Sequence, residues 1–184
     1  MSALGTDTSA GFKNRIAERW RTTLAQEGNV DFPPDEINLI EDGKHYGFPF
    51  FVGQNRPNTV PELKDAAPTV TAAAAVPPAF ELPAHVSGID LRFYTGTQFP
   101  ASYRNALFLA LHGSSTISEK VGYKVVRVVM KDGRPAGVED FATGWLKDGV
   151  VSGRPAGLAT GADGALYVSD DNKGFIYRIG YGGR

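Results

Sequence analysis

At 184 residues, with 42% hydrophobic and 21% charged residues, the chain is long enough for one globular domain with its own core. A formal net charge of −1 excludes a bulk electrostatic pull toward nucleic acid or anionic membrane. Cysteine is absent, and no apolar run reaches the eighteen residues of a membrane span. Twenty-two Gly and twelve Pro favour many turns, hence short strands over long helices.

Taken in order, residues 9–28 are expected to form an amphipathic helix, with Phe12, Ile16, Trp20 and Leu24 on one face, Ser9 as cap and Gly28 as stop. The first ten residues lack a basic region followed by an apolar core, so a signal peptide is not expected in this chain. Asp35 and Glu36 sit beside a short apolar run and a Gly-rich turn leading to Tyr46. Adjacent carboxylates near a loop carbonyl suit calcium, which takes six to eight oxygen ligands, and they equally suit the capping of a turn. Residues 53–83 carry six prolines and a run of four alanines, which predicts an irregular crossing between sheets.

Regular alternation resumes at Gly88. Strands are expected over residues 89–94, 105–111 and 123–130, and Asp132-Gly133 turns the chain into a fourth around 138–142. Residues 157–161 and 165–169 are separated by Asp163-Gly164, and 174–180 supplies the third strand of a second meander. Two such sheets in succession suggest blades around an axis, so the expected fold is all-β, a β-propeller preceded by the short helix.

Several motifs occur together and in order: Asp35-Glu36-Ile37-Asn38-Leu39-Ile40, Tyr46-Gly47-Phe48-Pro49, Phe93-Tyr94-Thr95-Gly96, Tyr103-Arg104-Asn105, His112-Gly113-Ser114, Gly153-Arg154-Pro155 and Ser169-Asp170-Asp171. In this combination the chain resembles the glucose/sorbosone dehydrogenases, six-bladed propellers that oxidise sugars with pyrroloquinoline quinone (PQQ). The resemblance covers only the C-terminal part of such an enzyme, about two blades, and divides the chain into a helical segment 1–29 and a propeller portion 30–184. It implies PQQ and calcium as cofactors, a sugar such as an aldose or sorbosone as substrate, and a periplasmic or secreted location.

By the resemblance, Arg154 stands where relatives place a quinone-site arginine, whose planar fork suits carboxylates. His112, at a strand end, and His85, just before a strand, are the other expected cofactor contacts, with local backbone bonding as the alternative for His112. Glu36, Asp35 and the Tyr46 carbonyl are the expected calcium ligands. Where relatives carry Trp-Asn-Arg after His-Gly-Ser, this chain has Ser115-Thr116-Ile117, and the family's general-base histidine has no counterpart. The chain is therefore expected to be inactive by itself: a fragment of a sugar oxidoreductase, or a noncatalytic remnant acting as a binding or self-assembling module. Self-association is expected because Leu107, Leu109, Leu111, Val126 and Val128 would face missing blades and the last sheet has an open edge.

Overall fold

A computed structural model describes residues 20–23, 33–59, 61–63, 65–115 and 119–182. Every regular element in it apart from two short 3₁₀ turns is a β-strand. The first sheet has three antiparallel strands in the order β1 (Trp20–Thr23), β2 (Asp35–Leu39), then a strand at Phe80–Leu82. Between them lies a two-stranded ribbon of β3 (Phe51–Val52) and β4 (Arg56–Pro57), so the strand Phe80–Leu82 is β5. A four-stranded meander follows, with β6 (Gly88–Phe93), β7 (Leu107–Leu111), β8 (Lys124–Lys131) and β9 (Arg134–Ala142). After the ribbon of β10 (Leu146–Lys147) and β11 (Val150–Val151), β12 (Pro155–Thr160), β13 (Leu166–Asp170) and β14 (Phe175–Ile179) complete a three-stranded meander.

Period-two alternation in the middle sheet explains how three sheets stack. Phe108 and Ala110 of β7, with Val125 of β8, join Leu158, Leu166 and Val168 of the third sheet in one core. Leu107, Leu109 and Leu111, with Val126 and Val128, point the other way and join Ile37 and Leu82 of the first sheet in a second core. All five side chains of β7 are buried, each larger one contributing about 1.5–3 kcal/mol. At the turn between β8 and β9, Asp132 and Gly133 both have positive φ, the backbone a two-residue hairpin demands.

Two expectations are corrected. Within the helix expected over 9–28, Trp20–Thr23 form β1, paired in register with β2 from Trp20↔Leu39 to Thr23↔Glu36. The free edge of β2 satisfies this backbone through a sheet ladder, which overrides the helical spacing of the apolar residues. The remainder of that helix lies outside the described residues. The face carrying Leu107, Leu109, Leu111, Val126 and Val128 is also not open, because the first sheet covers it. That sheet is not legible in the sequence because β2 buries Asp35, Glu36 and Asn38 along with Ile37, which erases alternation, and because β5 lies in the Pro-rich crossing.

Candidate functional site

Strand ends of two sheets meet at one corner. β7 runs out into His112, β8 is entered from Tyr123, β12 from Arg154, and β13 leads into Asp170 and Asp171. The turn before β6 joins them, since Ser87 O accepts the His112 amide at 2.8 Å and Val86 O accepts the Gly113 amide at 3.0 Å. Asp35 anchors that turn by accepting the Ser87 amide at 2.6 Å.

Arg154 is the centre of the corner. Its Nη1 donates to Gly113 O at 3.2 Å and lies 3.4 Å from His112 Nδ1, while Nη2 donates to Ser114 O at 3.0 Å and to the Tyr123 hydroxyl at 3.2 Å. The guanidinium carbon sits 5.1 Å from the centre of the Tyr123 ring, a cation–π contact. The Tyr123 hydroxyl itself donates to Ser114 O. On the far side of the imidazole, His112 Nε2 is 2.9 Å from an Asp171 carboxylate oxygen. With Nδ1 facing a guanidinium donor, the arrangement selects the tautomer that carries its proton on Nε2 and gives it to Asp171.

Asp170 supports the backbone beneath. Burial works against its ionisation, but amides of Arg154, Lys173 and Asn172 and the Tyr177 hydroxyl outweigh it and hold its carboxyl below the usual range. A β-carbon at Gly153 would run into the Asp170 carboxylate, which is why glycine precedes Arg154. A cleft lined by Thr95, Gly96, Thr97, Arg104 and Asn105 lies at the opposite end of these sheets and includes none of the expected site residues.

Of the expected quinone contacts, Arg154 and His112 are brought together. His85 belongs to the same corner through its turn, has φ +62, and is buried at 6% exposure, behind the surface rather than on it. The residues that sequence reasoning passed over are Tyr123 and Asp171. Asp171 is visible in the sequence only as part of a motif, and Tyr123 carries no signal beyond opening the strand expected over 123–130.

The expected calcium ligands are not brought together as side chains. Asp35 and Glu36 are neighbours on β2 and so address opposite faces; Asp35 bonds Ser87, while Glu36 accepts the Gly53 amide at 2.7 Å and the Asn38 side chain at 3.0 Å. The Tyr46 hydroxyl donates to Leu39 O at 2.8 Å and accepts the Glu41 amide at 2.7 Å. Burial pushes the Glu36 carboxyl up; bonds from Asn38 and Gly53 pull against this, and the charges of Glu81 and Asp35 add to it. Among the described residues no three His, Asp or Glu side chains converge as a metal set.

An all-β chain of stacked antiparallel sheets with a cationic corner at their strand ends defines the class. The chain belongs to the TrAA12-like family, whose model matches residues 34–181. An uncharacterized protein of Borreliella burgdorferi is 38% identical over 186 residues, covering 97% of this chain and 48% of that protein. The calcium structure of Trichoderma reesei Carbohydrate-Active Enzymes Family AA12 is similar with a TM-score of 0.62 and 25% identity, over 84% of this chain and 45% of that one. The holo form of the pyranose dehydrogenase PQQ domain from Coprinopsis cinerea shares the fold with a TM-score of 0.62 and 23% identity, over 86% and 48%. The chain thus spans about half the length of the relatives it matches. No helix among the described residues is long and apolar enough to cross a membrane.

Proposed function

We propose that the sheets are consecutive blades of a propeller resembling the PQQ-dependent sugar dehydrogenases, and that the Arg154–His112 corner holds carboxylates of the quinone. One observation carries this reading: a guanidinium and an imidazole stand side by side where strand ends of two sheets converge. The donor chemistry fits the group. Arg154 Nε–H makes no hydrogen bond among the described residues, and its Nη groups bond carbonyls of the loop 112–114, which a ligand carboxylate can replace with stronger charge-assisted bonds.

When bound, PQQ supplies the acceptor for a hydride taken from a sugar hydroxyl or aldehyde carbon. This chain's own residues bind and orient: Arg154 pairs with carboxylate, Tyr123 backs the guanidinium, and Asp171 fixes the imidazole ring of His112. No residue here is assigned the role of taking the substrate proton. The calcium that the resemblance implies is given no step in this reading; the side chains of Asp35 and Glu36, two of its expected ligands, accept backbone amides of Ser87 and Gly53.

The expected behaviour is quinone binding without turnover. Titration of the purified chain with PQQ should saturate, and adding aldose with an artificial acceptor should give no activity above a PQQ-only blank. Turnover would refute the fragment reading, and absence of saturable binding would refute the site. A second reading, a noncatalytic self-assembling module, is favoured by one feature. The outer edge of β14 has no strand beside it among the described residues, and Phe175 and Ile176 are exposed there at 57% and 74%. Sedimentation at micromolar concentration should then show dimers that Ile176→Lys abolishes; a monomer in both would remove that reading.

A further inference from the structure

Two motifs that carry the family resemblance, Phe93-Tyr94-Thr95-Gly96 and Tyr103-Arg104-Asn105, take no part in the Arg154 corner. The fold brings them together just beyond β6 and β7, where the Tyr94 amide donates to Ala106 O at 2.8 Å and the Asn105 amide donates to Tyr94 O at 3.1 Å. Between them opens a cleft of about 300 Å³ lined by Tyr94, Thr95, Gly96, Thr97, Arg104 and Asn105, a volume at the lower end of small-molecule sites. Both of its walls are braced from behind. A β-carbon at Gly96 would run into the Tyr94 hydroxyl and Gly164 O, so the 95–97 loop lies directly on the anchored tyrosine and the turn of the last sheet. On the other wall, the Tyr103 ring at the end of the 3₁₀ turn Ala101–Tyr103 stacks on Phe108 with centroids 6.3 Å apart and carries the Arg127 guanidinium carbon 4.7 Å above it. Asn105 has φ +59, a left-handed conformation that asparagine tolerates better than most residues.

Within this frame the polar side chains of the cleft are uncommitted. Arg92, Arg127 and Arg178 each give an Nε–H to a protein acceptor, whereas among the described residues the Arg104 guanidinium meets none, and the Thr95 and Thr97 hydroxyls and the Asn105 carboxamide make no hydrogen bond. Asp163 of the neighbouring turn, whose carbonyl accepts Gln98 Nε2 at 3.2 Å, directs its carboxylate at Arg178, 2.7 Å away, rather than at Arg104. The lining therefore offers a fork-shaped cation, two hydroxyls and a carboxamide with no carboxylate among them, a donor set for an oxyanion. The ring of Tyr94 is fully buried, so the cleft presents no aromatic face on which a neutral sugar would stack. We propose that this cleft binds a phosphate group, free or as the monoester of a sugar-sized molecule, with Arg104 pairing its oxygens and Thr95, Thr97 and Asn105 completing the donor set. The site lies at the opposite end of the sheets from Arg154 and stands independently of the quinone reading.

The test is calorimetry and thermal melting of the purified chain with inorganic phosphate, glucose 6-phosphate and glucose, at ionic strength matched with chloride. Both phosphates should bind wild type saturably and raise its melting temperature, and glucose should do neither. Arg104→Ala should melt as wild type does in chloride and bind phosphate at least about tenfold more weakly. Asn105→Asp, which keeps a residue suited to positive φ and sets a negative charge in the cleft, should weaken binding as well. Arg154→Ala locates the site, since phosphate binding should survive it. Saturation by only one of the two phosphates supports the site and names its ligand as the free ion or the monoester. Absence of saturable binding by either phosphate would overturn the proposal, as would glucose binding as well as its phosphate, binding that survives Arg104→Ala, or binding that Arg154→Ala abolishes.

Discussion

The Asp90 carboxylate accepts the backbone amide of Leu158 at 2.6 Å, across the gap between the middle and last sheets. Two residues further along β6, Arg92 Nε donates to the carbonyl of the same Leu158 at 3.1 Å. Both polar groups of Leu158 face away from β13, so one face of β6 closes the free edge of β12 and locks two sheets together. Asp90→Ala should leave that amide without its acceptor and cost about 1–3 kcal/mol. Denaturant melts comparing Asp90→Ala with Asp90→Asn, which keeps an acceptor oxygen, check this. Equal stability of Asp90→Ala and wild type would show that the two sheets are held by their apolar core alone.

At the opposite ends of these sheets the Tyr94 hydroxyl does comparable work. It donates to Gly164 O in the β12–β13 turn and accepts the amides of Gln98 and Phe99, each at 3.1 Å. The ring is fully buried and stacks on Phe99 with centroids 4.6 Å apart. Tyr94→Phe keeps the stacking but strands three backbone groups, so a loss of about 1–3 kcal/mol is expected in equilibrium unfolding. Hydrogen exchange should accelerate at Gln98 and Phe99 and leave β8 unchanged.

Asp170 makes stability depend on acid. Its folded carboxyl titrates below its ordinary value of 3.8, so the unfolded chain binds the proton more readily. The contribution is therefore present above about pH 4 and is lost as pH falls through the lower folded value. Asp170→Asn should flatten that part of the acid limb and lower stability at neutral pH by about 1.5–3 kcal/mol, because charged acceptors make the stronger bonds. An unchanged acid limb would assign it to other carboxylates.

How much of this was legible in the sequence varied with how far apart the partners lie. The β6–β9 and β12–β14 meanders were readable because each strand pairs with its sequence neighbour and the turns carry Asp132-Gly133 and Asp163-Gly164. The first sheet was not, because β2 meets β5 across the whole Pro-rich crossing and β1 comes from residues with helical spacing. The same distance conceals Glu81 as the partner of Glu36, because the sequence shows only the adjacent carboxylate Asp35 beside it. Arg154 and His112 are singled out by the family resemblance and not by spacing, and the fold sets their side chains 3.4 Å apart. What Arg154 actually holds, the carbonyls of Gly113 and Ser114, depends on a three-dimensional fold-back that no spacing encodes.

The measurement that bears most directly on the proposed function is PQQ binding to the purified chain, followed by calorimetry and quenching of intrinsic fluorescence, for wild type, Arg154→Ala and Tyr123→Phe. Arg154→Ala should weaken binding by at least about tenfold, the loss expected when a charge-assisted pair worth about 1.5–3 kcal/mol is removed. Tyr123→Phe, which keeps the ring beneath the guanidinium, should bind within a few-fold of wild type. Saturable binding that Arg154→Ala leaves unchanged would contradict the account and return Arg154 to a purely structural role in holding the loop at His112.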